Sequence, residues 1–127
     1  MKLLLDTHAF LFAINPLERL PTKVQMLLLD LNTERWVSAV SLCEIAIKIR
    51  IGKLDLPEDG RFYMEHVAAL NAKLLPLEAT HTFALFGLPL HHRDPFDRLL
   101  IAQAKSERLT LVTQDAAFAS YDVPTLW

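Results

Sequence analysis

His91–Ala104 reads HHRDPFDRLLIAQA, and the rest of the chain is best read outward from it. A residue before proline is pushed out of the α region, so Asp94 stops short of a helix. Pro95 suits the first helical position, where its missing N–H is no loss. The pattern predicts a helix with Asp94 as N-cap and Asp97 in its third position. Leu99, Leu100, Ala102 and Ala104 then supply a buried stretch of good helix formers. Asp97 is thereby placed at a helix mouth, where backbone N–H groups favour negative charge. Its structural reading is a capping box with Asp94. The acids elsewhere in the chain supply a second reading.

Short apolar runs lie on either side of this helix in the sequence. Lys2–Leu5 and Leu109–Thr113 (LTLVT) lack polar alternation and fit strands buried on both faces. Arg35–Ala39 (RWVSA) is strand-like. Leu74–Leu77 is a short strand candidate that Pro76 either weakens or places near an edge, and Val123–Trp127 is a last strand or tail. Between them fall helical segments at Thr7–Ala13, ended by Asn15-Pro16, and at Lys23–Leu31 behind Thr22 as N-cap. Ser41 opens a helix running to about Ile51 with Gly52 as C-cap. Arg61–Asn71, Thr80–Phe86 and a short Asp115–Ala119 complete the set. Strands alternating with helices predict a three-layer α/β/α sandwich with a mainly parallel central sheet, one domain over residues 1–127. In such sheets ligands bind beyond the carboxyl ends of the strands.

Composition agrees with that architecture. The 127 residues are 52% hydrophobic and 22% charged, with 3 glycines and a net charge of -2, which excludes disorder and a polybasic tail. The apolar share exceeds what one small core needs and points to a subunit or partner interface. Cys43 is the only cysteine, so no intrachain disulfide forms and a reducing compartment is expected. Lys2 and the leucines after it mimic a signal peptide, but Asp6 and His8 interrupt the apolar run. No segment has the ~18 uninterrupted apolar residues of a membrane span. The expected location is the cytoplasm.

Acids stand at four strand ends: Asp6 after the first strand, Glu44 in the first turn after Arg35–Ala39, Asp97 at the helix mouth, and Asp115 after Leu109–Thr113. Each alone has a structural explanation. Asp6 and Asp115 can each cap the helical segment next in the chain, and Glu44 can form a capping box with Ser41. Together they are harder to explain by stability, because serine, threonine or asparagine would cap as well. In a parallel sheet all of them share one edge, and carboxylates within ~8 Å repel one another. A hard divalent cation, Mg²⁺ or Mn²⁺, removes the conflict, since it prefers oxygen ligands and borrows oxygens from a phosphate. Such an ion activates water and stabilises charge on a phosphoryl oxygen.

The runs LLLDTHAFLFA, VSAVSLCEIAIKIRIGKL, DPFDRLLIAQA and LTLVTQDAAF, taken together, resemble the PIN domain, and more narrowly the VapC toxins of toxin–antitoxin pairs. The likeness runs from Lys2 to the C-terminus. It implies an α/β/α fold, Mg²⁺- or Mn²⁺-dependent endoribonuclease activity on RNA, a homodimer and inhibition by a cognate antitoxin. The family's acidic site falls on Asp6, Glu44, Asp97 and Asp115. Thr113 matches the hydroxyl residue that supports the last acid, and Thr7 is similar to a position often used the same way. Cys43 departs from the pattern by standing where relatives with this motif often carry tryptophan.

Other polar residues have plainer roles open to them. Adjacent His91 and His92 in a loop read as solvent-exposed rather than as a zinc site, and His8 has no partner at ligand spacing. Arg98 is a candidate for positioning an RNA phosphate, with Lys48, Arg50 and Lys53 behind it. Trp36 and Trp127 read as core or interface residues. Asp6 and Asp97 are the expected principal metal ligands, completed by Glu44 and Asp115. The alternatives are a phosphatase-like enzyme and a non-catalytic module, either a receiver-like Mg²⁺ switch or an RNA-binding domain. A phosphatase of that kind wants a second acid where this chain has His8, and a receiver-like switch wants a lysine after a late strand, where Leu109–Asp115 has none.

Overall fold

The computed structural model describes every residue from Met1 to Trp127. Strands β1 (Lys2–Leu5), β2 (Glu34–Ser38), β3 (Lys73–Leu75), β4 (Thr110–Val112) and β5 (Thr125–Leu126) form one sheet in the order β3-β2-β1-β4-β5. Every pairing in it is parallel. Around it run α1 (Thr7–Ile14), α2 (Thr22–Leu29), α3 (Ala39–Arg50), α4 (Gly60–Ala69), α5 (Ala79–Ala84) and α6 (Pro95–Glu107). None of these helices is long and apolar enough to cross a membrane.

Alternation along β1 builds the two sides of the sandwich. Leu3 and Leu5 face one core, with Val37, Val112, Phe10 of α1, Val24 and Leu28 of α2, and Tyr63 and Val67 of α4. Leu4 faces the other, with Leu111, Leu100, Ile101 and Ala104 of α6, and Phe118 and Tyr121 beyond β4. All three leucines are fully buried, so each contributes about 1.5–3 kcal/mol by leaving water. The unbroken apolar run in the sequence is the direct consequence of a central strand covered on both faces.

The order of strands creates the crevice. From β1 the chain moves outward through β2 to β3, then crosses back to place β4 on the other side of β1. The connections leaving β1 and β4 therefore diverge, and a cleft opens between their carboxyl ends. Asp6 continues the ladder one residue past β1, its N–H donating to the Val112 carbonyl at 3.0 Å.

Several boundaries differ from the sequence expectation. Helix α3 begins at Ala39 rather than Ser41, because Ser38 at the end of β2 is the N-cap and accepts the Val40 N–H at 3.0 Å. Ser41 and Glu44 thus lie inside the helix, and Glu44 is neither in its first turn nor in a capping box. The N-cap of α2 is Pro21 and not Thr22. That helix stops at Leu29 because Asp30 turns the chain, its carboxylate accepting the Asn32 N–H at 2.9 Å. Gly52, with φ of +79°, follows the C-cap Ile51 and takes the left-handed position that ends α3. Strand β3 ends at Leu75, ahead of Pro76, at the sheet edge.

Candidate active site

Asp6 leaves β1 and caps α1, its Oδ1 accepting the Ala9 N–H at 2.8 Å. The capping explanation and a functional one are therefore compatible. Burial pushes its carboxyl above the ordinary value of 3.8, the Thr113 hydroxyl and Ala9 N–H pull it back, and Glu44 adds to the rise. Thr113 stands at the neighbouring strand end and also accepts the Asp115 N–H at 3.1 Å. One buried hydroxyl thus touches the surroundings of two acids.

Helix α6 starts as the proline pattern predicts. Asp94 is its N-cap and accepts two N–H groups, from Phe96 at 2.9 Å and Asp97 at 3.0 Å. Asp97 occupies the third helical position, and its side chain is free of capping duty. Burial raises its pKa from 3.8 to about 7, with Asp94 the next cause, Glu44 and Asp6 adding, and His92 opposing. The cap of its own helix and carboxylates from two other elements act on this one group, which is the electrostatic sign of a shared pocket.

Glu44 arrives from α3, one turn and a half beyond its cap, and is buried. Its Oε1 accepts the Thr7 hydroxyl at 2.6 Å, and Thr7 lies 3.1 Å from the Ser41 hydroxyl. Its Oε2 pairs with Lys48 one turn along the same helix. The Lys48 pKa is raised, chiefly by its hydrogen bond to Glu44, with Asp94 and Asp97 adding. Lys48 is therefore a cation built into the acid cluster. Thr7, whose role the sequence left to resemblance, holds Glu44 in place.

Asp115 caps the short turn Ala116–Ser120, its Oδ1 accepting the Ala117 N–H at 2.9 Å. Its Oδ2 lies 3.2 Å from His92 Nε2, and the same nitrogen is 3.0 Å from Asp97 Oδ2. Contrary to the sequence expectation, the two histidines part company. His91 is exposed, but the His92 side chain keeps only 18% of its surface in solvent. No periodicity marks it. The available signal was its place just before the mouth of α6, two residues ahead of the N-cap.

Arg98 is engaged by the loop before α6. Its guanidinium donates to the carbonyls of Pro89 at 2.7 Å, Leu88 at 3.2 Å and His92 at 3.4 Å. It clasps the loop that precedes α6, so the donors expected to face a phosphate are engaged by backbone. Arg50 pairs with Glu58. Cys43 lies on the exposed side of α3.

Asp6, Asp97 and Asp115, with His8, Gln114 and Phe118, line a cleft of about 310 Å³ at the diverging ends of β1 and β4. One donor atom from each of His92, Asp97 and Asp115 lies within 4.8 Å of the others. The carboxylates of the cleft are hard oxygen donors, which suit Mg²⁺ or Mn²⁺ better than a thiolate- and imidazole-loving ion. The elevated Asp97 supplies the second test of fit. Burial first, and then Asp94, Glu44 and Asp6, disfavour its ionised form, which a divalent cation would favour.

The PIN domain family model matches residues 3–124. Among solved structures, a chain of the VapBC2 complex from Rickettsia felis, bound to a DNA fragment from its promoter, has a TM-score of 0.71 at 18% identity, covering 100% of this chain and 99% of that one. A chain of FitAcB from Neisseria gonorrhoeae has a TM-score of 0.59 at 21% identity, covering 98% of this chain and 96% of that one. A chain of a toxin–antitoxin complex from Klebsiella pneumoniae has a TM-score of 0.61 at 15% identity, covering 98% of this chain and 95% of that one. At these identities the likeness is one of fold. No curated protein matches the sequence significantly.

Proposed function

This chain belongs to the PIN domain family, and from that premise we propose that it is a divalent-metal-dependent endoribonuclease, the toxin of a toxin–antitoxin pair. Members of the family are generally nucleases. The single observation that carries the reading is the cleft lined by Asp6, Asp97 and Asp115, where burial, with Asp94, Glu44 and Asp6 adding, raises the Asp97 pKa to about 7. Carboxylates gathered in one cleft suit a hard divalent cation. The chain acts as one domain, in the cytoplasm, beside its antitoxin.

In the proposed mechanism Asp6 and Asp97 would be the principal ligands of Mg²⁺ or Mn²⁺. Asp6 is aimed by the Ala9 N–H, and Asp97 is left free because Asp94 does the capping. Glu44 already has Thr7 on one oxygen and Lys48 on the other. Asp115 has the Ala117 N–H on one and His92 on the other. These two would complete the site beside Asp6 and Asp97 rather than hold the ion alone. When bound, the cation supplies a Lewis acid that activates water and offsets charge building on the phosphoryl group. Lys48 keeps Glu44 in its rotamer and stops it from turning toward Asp97. Arg98 positions the loop that carries His92, a holding role in place of direct phosphate contact.

Two features support the partners. The structural neighbours are toxin–antitoxin complexes, which favours an antitoxin partner for this chain. Phe83 and Phe86 are exposed together around the end of α5, their rings stacked at 6.4 Å. An apolar patch of that kind fits a second copy of the chain and a homodimer.

The test is the chemistry of the cut ends. Purified protein with Mg²⁺ or Mn²⁺ and a labelled single-stranded RNA should leave 5′-phosphate and 3′-hydroxyl termini, the products of attack by water. Cyclic 2′,3′-phosphate ends would mean attack by the ribose hydroxyl and would reject this mechanism.

A further inference from the structure

His92 is held from every side. Its backbone N–H donates to the Tyr121 hydroxyl at 2.8 Å, and its carbonyl faces the Arg98 guanidinium at 3.4 Å. The ring meets Phe118 edge-on, with centroids 5.8 Å apart. Its Nδ1 accepts the Asp94 N–H at 3.2 Å. That last contact decides the tautomer. A nitrogen that accepts an N–H carries no proton of its own, so the neutral ring bears its proton on Nε2. Nε2 is the atom placed 3.0 Å from Asp97 Oδ2 and 3.2 Å from Asp115 Oδ2.

Metal-ligating imidazoles show the opposite arrangement, with one bare nitrogen on the ion and the other donating to an acceptor. We propose that His92 is a positioning residue of the acid site, a hydrogen-bond donor that holds the Asp115 carboxylate beside Asp97, and not a ligand. Asp115 is the most exposed of the site acids, with 45% of its side chain in solvent. Without the imidazole its Oδ2 has no protein partner, and the carboxylate is free to turn outward. With it, Asp115 and Asp97 face the cleft together before any cation arrives. Arg98 and Tyr121 act one step further out, by fixing the loop from which His92 reaches in.

This inference rests on the metal-dependent reading above, so its test measures cation binding directly. Mn²⁺ is titrated into metal-free protein, free ion is followed by electron paramagnetic resonance, and the bound ion is examined for coupling to ¹⁴N. Wild type is compared with His92→Phe, which keeps a ring and loses the donor, and with His92→Gln, which keeps an N–H donor. Circular dichroism checks the fold, and His92→Ala replaces the phenylalanine variant should that one fail to fold. The expected result is Mn²⁺ binding weakened about tenfold or more in His92→Phe, largely recovered in His92→Gln, with no direct nitrogen coupling in wild type. Nitrogen coupling that disappears in His92→Phe would make the ring a ligand and overturn the inference. Equal or tighter binding in His92→Phe would overturn it as well, leaving the metal-dependent reading intact. A wild type that binds no Mn²⁺ would overturn both.

Discussion

Asp97→Asn changes one charge and almost no volume. The native carboxyl titrates at about 7, against an ordinary value of 3.8 in the unfolded chain. Below pH ~4 both states are protonated and the group contributes nothing. As pH rises the unfolded chain ionises first, so native stability falls until the folded carboxyl ionises as well, near 7, and is level beyond. A separation of about 3 pH units corresponds to about 4 kcal/mol. The carboxyl keeps some solvent, whose screening reduces the effect to about 1–2 kcal/mol. For a chain of this length that is about 3–8 °C in Tm. In chelator at pH 8, Asp97→Asn should therefore melt higher than wild type by that amount, and the gap should close as pH falls toward 4. Cleavage should drop at least about a hundredfold, since a neutral amide is a poor ligand for a hard cation. Thermal melts across pH, run beside an RNA cleavage assay, measure both. A variant that melts lower at pH 8, or a gap indifferent to pH, would refute the crowded-carboxylate account. Near-normal turnover would reduce Asp97 to a structural residue.

Three further outcomes rest on particular contacts. Asp94→Ala removes the acceptor of two N–H groups and should cost about 1 kcal/mol, whereas Asp94→Asn keeps the cap and should melt near wild type; equal losses in both would assign the effect to charge instead. Thr113→Val takes a hydroxyl from between Asp6 and the Asp115 N–H, so cleavage should fall several-fold with little change in fold by circular dichroism. Phe86→Glu places a charge in the patch with Phe83, and sedimentation should show wild type as a dimer and the variant as a monomer. A wild-type monomer at tens of micromolar (roughly the range of a weak interface) would argue against self-association through any surface.

Much of the fold and of the site was legible because local rules act on few residues at a time. Asp94-Pro95 decides the start of α6 whatever surrounds it, and it separated the capping aspartate from the free one. The uninterrupted Lys2–Leu5 run required a strand covered on both faces, and the sheet places it at the centre. The alternation of strands and helices then put Asp6 and Asp115 on one edge. What was missed depends on side chains meeting across distance in sequence. Ser41-x-x-Glu44 has the form of a capping box, but Ser38 is already placed by β2 and starts the helix earlier. His92 reaches Asp115 across 23 positions and Arg98 turns back onto its own loop, and neither bears on hydrophobic periodicity. Lys48 was visible only as a charge on a helical face, whereas the fold makes it the partner of Glu44.

The central claim is that a carboxylate-held cation does the chemistry, and one experiment addresses it most directly. Wild type and Asp6→Asn, purified side by side, are stripped with chelator, assayed on single-stranded RNA, and assayed again after Mg²⁺ or Mn²⁺ is returned. Wild-type cleavage should vanish with chelator and return with either ion, while Asp6→Asn, still folded, should stay at least about a hundredfold slower at every ion concentration. Cleavage that survives chelation, or an Asp6→Asn protein as active as wild type, would contradict the account.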